Sequence, residues 1–81
     1  MDLKRVAKKL QLGLAARGIR VRINRYQHFS PEKGRFLTKY AVIREENEEK
    51  KRGKTILETY RMIDVVRVLA QLLEVTDGDA Q

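Results

Sequence analysis

The side chains with the clearest chemical potential are cations set at regular spacing. Arg20 and Arg22 alternate with Ile19, Val21 and Ile23, and Arg25 follows. An extended chain points successive side chains to opposite faces, so this run hides an aliphatic side and turns guanidinium groups outward. Tyr26, His28 and Lys39 fall on that same outward side when the strand is folded back on the next one. Cations hold phosphates and aromatic rings receive unstacked bases or sugars, so the mixture suits a nucleic acid. It equally suits a solvated outer face with ordinary cross-strand pairs. A second set, Lys4, Arg5, Lys8 and Lys9, returns after four residues and forms a positive ridge if the segment is helical. Such a ridge can lie across a phosphate backbone, along an anionic membrane surface, or simply in water.

Other chemistry finds little support. His28 is the only histidine, and no nucleophile or carboxylate lies beside it in the chain, so acid–base work by this imidazole lacks partners. With no cysteine, a metal site would need carboxylates, and these gather in residues 45–49 and in the last few positions. Asp77-Gly78-Asp79 lacks the remaining ligands of a calcium loop. There is no phosphate-binding glycine loop, no dinucleotide fingerprint, and no serine other than Ser30. The sequence therefore predicts no enzyme, no metal and no cofactor.

Placing these residues requires a helix and a sheet. Leu3, Val6, Ala7, Leu10 and Leu14 recur at helical spacing and predict an amphipathic helix over residues 2–17, with Gly13 its weak point. Gly18 stands where a left-handed cap would end it, and Arg17 suits the negative end of the dipole. From Ile19 the period becomes two. Pro31 to Gly34 then forms a four-residue turn into a second strand that runs from Phe36 through Ile43. If Ser30 faces Arg35, Phe29 meets Phe36, Tyr26 meets Lys39, Ile23 meets Val42 and Arg20 meets Glu45. Sliding by one residue sets Arg20 against Arg44 and Arg25 against Lys39, which like-charge repulsion disfavours. In the preferred register Ile19, Val21, Ile23, Phe29, Phe36, Tyr40 and Val42 share one face. Arg20, Arg22, Asn24, Tyr26, His28, Leu37, Lys39, Ala41 and Ile43 share the other.

Glu45 to Lys54 contains no apolar residue and reads as a mobile charged loop. Lys50, Lys51, Arg52 and Lys54 could wrap a phosphate backbone, with the upstream glutamates opposing them. A third, weaker strand spans Thr55 to Tyr60, and its pattern leaves open whether Leu57 or the pair Ile56 and Tyr60 points inward. Met62, Val65, Val66, Leu69, Leu72 and Leu73 mark a second helix with Asp64 in its first turn. Residues 76–81 read as a flexible tail. The expected fold is α+β, helix-strand-strand-strand-helix: one small basic domain over residues 1–75, a three-stranded antiparallel sheet with two helices packed on one face.

The charge is unevenly distributed. Residues 1–25 hold eight cations against one carboxylate, residues 26–61 hold nine against six, and the remainder holds one against four. A field of this polarity suits an anionic partner approached in one orientation. At 81 residues without disulfides the core is modest, which leaves a homodimer open. The chain has no secretory apolar run near its start and nothing near the roughly 20 apolar residues of a bilayer span, so it reads as cytoplasmic with no membrane partner.

The element order resembles the double-stranded RNA-binding domain over residues 2–75, in layout. The resemblance implies contacts from Lys4, Arg5 and Lys8 on the first helix and from Glu32 and Lys33 in the turn. Where that family opens its second helix with a lysine-rich phosphate clamp, this chain reads Tyr60-Arg61-Met62-Ile63-Asp64, with Arg61 alone. The three strands are also similar to the DNA readers at the N-termini of phage and transposon integrases, which implies base and phosphate contacts from Arg20, Arg22, Tyr26 and Lys39. The sequence thus points to a non-enzymatic nucleic-acid binder, DNA or RNA, using a basic sheet face, a basic first helix, or both. The alternative is a protein–protein or dimerisation module that uses Leu37, Ala41 and Ile43.

Overall fold

The computed structural model describes residues 2–47 and 52–79. Its elements are α1 (Leu3–Ala16), β1 (Val21–Ser30), β2 (Arg35–Asn47), β3 (Arg52–Thr59) and α2 (Met62–Asp79). The strands form one antiparallel sheet in the order β1-β2-β3, and both helices pack on the same side of it. This is the α+β layout expected from the periodicities.

Each boundary has a local cause. Asp2 caps α1, its carboxylate accepting from the backbone N–H groups of Lys4 and Arg5 at 3.1 and 3.4 Å. The helix closes in a Schellman motif: Gly18, at φ +83°, donates to the Ala15 carbonyl at 3.0 Å and Ile19 donates to that of Leu14 at 2.9 Å. Arg17 Nη1 also donates to the Gly13 carbonyl at 2.9 Å, satisfying the negative end of the helix. Ile19 therefore belongs to the cap, and β1 starts two residues later than the alternation predicts. Before α2, the Thr59 hydroxyl donates to Asp64 at 2.6 Å and accepts from the Arg61 N–H at 3.1 Å, which fixes the entry of that helix.

The hairpin follows the preferred register. Ser30 pairs with Arg35, Phe29 with Phe36, Tyr26 with Lys39 and Ile23 with Val42, and the Glu45 N–H donates to the Arg20 carbonyl at 2.9 Å. Gly34, at φ +64°, completes the turn and donates to the Ser30 carbonyl at 2.8 Å. Ala7, Leu14, Val21, Val42, Val65 and Leu69 form the buried cluster, with Ile23, Tyr40, Met62, Val66, Leu72 and Leu73 around it.

Three expectations need correction. Residues 45–54 are not one mobile loop: β2 continues through Asn47, β3 begins at Arg52, and Glu45 pairs with Gly53. Ladder pairing, rather than burial of apolar side chains, extends these strand ends. Within that stretch, Glu48, Glu49, Lys50 and Lys51 lie outside the described residues. Thr76 to Asp79 are not a flexible tail either, because α2 continues through them, with the Thr76 hydroxyl donating to the Leu72 carbonyl at 2.8 Å. Ala80 and Gln81 lie outside the described residues.

The third correction concerns β3, where an irregularity between Val42 and Ile43 shifts the pairing from Leu57 to Thr55 and leaves Ile56 as the extra residue. A bulge re-aims a side chain, so Ile56 and Leu57 both pack against the core cluster, while Tyr60 stays 52 % exposed. Neither of the two inward patterns that the sequence left open describes this strand.

Candidate nucleic-acid interface

The helices cover one face of the sheet, and the other face is open. Arg22, Asn24, Tyr26 and His28 of β1 stand there beside Ile43, Ala41, Lys39 and Leu37 of β2, respectively, so the sheet groups the four expected contact residues of this face. Tyr60 joins them from the bend after β3. Its hydroxyl shares a 3.0 Å hydrogen bond with His28 Nε2, the two rings lie 5.6 Å apart, and Lys39 Nζ is 5.8 Å from the Tyr60 ring centroid. Asn24 Nδ2 donates to the Tyr26 hydroxyl at 3.2 Å. Pairing is regular from Leu57 to Thr59, so with Leu57 on the covered side Tyr60 falls on the open one, the placement that the sequence had left undecided.

Carboxylates temper the charge of this face. Arg22 Nε pairs with Glu45 at 3.0 Å and Lys39 Nζ with Glu58 at 3.3 Å. The Arg22–Glu45 contact is a diagonal one, since the backbone register sets Glu45 beside Arg20 and Arg22 opposite Ile43. The Arg22 side chain remains about half exposed, and exposed pairs contribute only about 0–1 kcal/mol. A polyanion can exchange with such a partner, so Arg22 is outward, as expected, but ion-paired. The aliphatic residues of the face are also covered. Ala41 is buried, Leu37 and Ile43 are half-buried, and Ile43 leans against Gly53.

The first helix presents a different picture. Lys4, Arg5, Lys8 and Lys9 are all exposed on α1, away from the open sheet face, and none pairs with a carboxylate among the described residues. Lys4 and Lys8 are separated by one helical interval of four, as are Arg5 and Lys9, so like charges repel along both rows. No acidic residue occupies the first turn, where the macrodipole favours one. The ridge meets the sheet at one place. Along the start of β1, a shallow groove of about 420 Å³ is lined by Lys8, Gln11 and Leu12 from α1 and by Arg20, Arg22 and Glu45. Gln11 Nε2 donates to the Val21 carbonyl at 2.8 Å, which ties the helix to the strand edge and fixes the groove.

Thus the expected residues fall into three sets. Arg22, Tyr26, His28 and Lys39 lie on the open face, Lys4, Arg5 and Lys9 lie on the helix, and Lys8 and Arg20 line the groove between them. Among the described residues no three metal-ligating side chains converge, and no helix is long and apolar enough to cross a membrane. No family model, no curated protein and no solved structure matches the chain.

Proposed function

We propose that the protein is a non-enzymatic nucleic-acid binder whose α1 ridge meets the phosphate backbone and whose groove carries that contact to Arg20 and Arg22. The reading rests above all on the placement of Lys4, Arg5, Lys8 and Lys9. Four cations stand on one exposed helix surface at spacings where they repel one another, and two of them, Lys4 and Arg5, fall in the first turn, where the dipole opposes them. Each arrangement costs helix stability, and a row of phosphates relieves both. The sheet face contributes less, because Arg22 and Lys39 must exchange Glu45 and Glu58 for phosphate.

Fluorescence anisotropy with labelled duplex DNA, single-stranded DNA and duplex RNA at several ionic strengths tests this. With about five phosphates engaged, log K should fall against log salt with a slope of about −4 to −5 for duplex DNA. Charge reversal at Lys4 and Lys8 should weaken binding more than reversal at Arg20 and Arg22. A flat salt response, or no complex at low ionic strength with any of the three polymers, rejects the reading.

A further inference from the structure

We infer that the far end of the β1–β2 hairpin is a projecting arm whose Phe29 and Phe36 receive a nucleobase, an inference that rests on the nucleic-acid reading above. The two phenylalanines are cross-strand partners, with ring centroids 5.4 Å apart in an edge-to-face arrangement. They lie on the side of the sheet that the helices cover, yet the helices do not reach them: Phe29 is 53 % and Phe36 69 % exposed, and neither packs against the core cluster. Arg25 and Gln27 on the same side are exposed as well. The stretch from Arg25 to Ser30 spans about 20 Å at the usual strand rise.

The arm's surroundings favour a nucleic acid over other occupants. Arg25, Lys33 and Arg35 are exposed, and none pairs with a carboxylate among the described residues, while Glu32 is the single acid of the arm. Cations alternating with an aromatic platform match the alternation of phosphate and base along a strand. A lipid surface asks for a broader apolar face, and the neighbours of the ring pair on this side are Gln27 and Thr38. The turn is built to hold its shape, with Gly34 at positive φ donating to the Ser30 carbonyl and the Lys33 N–H reaching the Ser30 hydroxyl oxygen at 3.4 Å. A two-stranded ribbon of this kind is also narrow enough for a groove about 12 Å wide.

The test uses Phe36→Trp as a reporter and the double variant F29A/F36A as the deletion, each checked for an unchanged thermal midpoint. Stacking on a base should quench the tryptophan, more with oligo-dT than with fully paired duplex, whose bases are already stacked. The double variant should bind oligo-dT at least tenfold more weakly with the same salt slope. If the unmodified chain binds but the double variant binds within twofold of it, or the tryptophan does not respond, the arm inference fails and the phosphate-binding reading stands. An equal quench from paired duplex overturns base stacking in favour of groove insertion. A blue shift on vesicles of anionic phospholipid, with no response to oligonucleotide, overturns it in favour of a lipid surface. Failure of the unmodified chain to bind any polymer removes both readings.

Discussion

At the scale of single residues, three glycines make opposite demands on the same substitution. A Cβ at Gly13 would lie 3.8 Å from Arg17 Nη1 and from a Leu73 methyl, an ordinary contact, so Gly13→Ala should stabilise the protein by about 0.5–1 kcal/mol through helix propensity alone. Gly18 has open space around it but holds φ at +83°, so Gly18→Ala should cost about 1–2 kcal/mol. Gly53 is limited by space: a Cβ there collides with Ile43 Cγ2 and comes within 3.2 Å of the Arg44 carbonyl oxygen, so Gly53→Ala should destabilise by displacing Ile43. Urea unfolding of the three variants checks the order. If Gly13→Ala is the most damaging, the account of the helix pair is wrong. The roles of Gly13 and Gly18 are visible in the sequence because each sits at a definite point of a helical period. That of Gly53 is not, since it depends on a partner ten residues away in the chain.

At the scale of elements, α1 is a place where stability and binding should move in opposite directions. Arg5→Glu puts an acid in the first turn, removes the repulsion with Lys9 and creates a Glu-to-Lys pair at the favourable spacing and orientation. These changes together should raise stability by about 0.5–1 kcal/mol while weakening nucleic-acid binding and lowering the salt slope by about one. Thermal unfolding beside anisotropy gives both quantities, and a variant that loses stability along with affinity would contradict the functional account of the ridge. The hairpin was legible in the sequence because one slip of register flips every side chain and brings arginine against arginine. The third strand was legible as a strand but its facing was not, because its bulge places Ile56 and Leu57 on the same side, against the alternation on which the reading depends. For the candidate site, alternation placed Arg22, Tyr26, His28 and Lys39 together, but it gave no sign of the diagonal Glu45 partner or of Tyr60 closing over the face.

At the scale of the whole molecule, the chain is a thin body with an extension. Its extents are 50 × 34 × 16 Å and its radius of gyration is 14.2 Å, against about 12 Å for a compact domain of this length. None of residues 27–38 belongs to the core cluster or packs against it. Tyr26 and Lys39 form a directly opposed pair, and the hydrogen bond between Arg20 and Glu45 sets the phase in which such pairs exchange both backbone bonds. An Asn-Gly turn joining Tyr26 to Lys39 therefore meets the geometry of a two-residue hairpin. This shortened chain should keep its fold, with a thermal midpoint within about 5 °C of the parent, a change of under about 1 kcal/mol. Its radius of gyration by small-angle scattering should fall toward the compact value. The deletion removes Lys33 and Arg35 but leaves the α1 ridge intact, so the salt slope should lose at most about two units and binding should persist. Complete loss of binding by a folded, shortened chain would place the whole phosphate contact on the arm and deny the ridge its role, whereas unfolding would mean that arm and body share one cooperative structure.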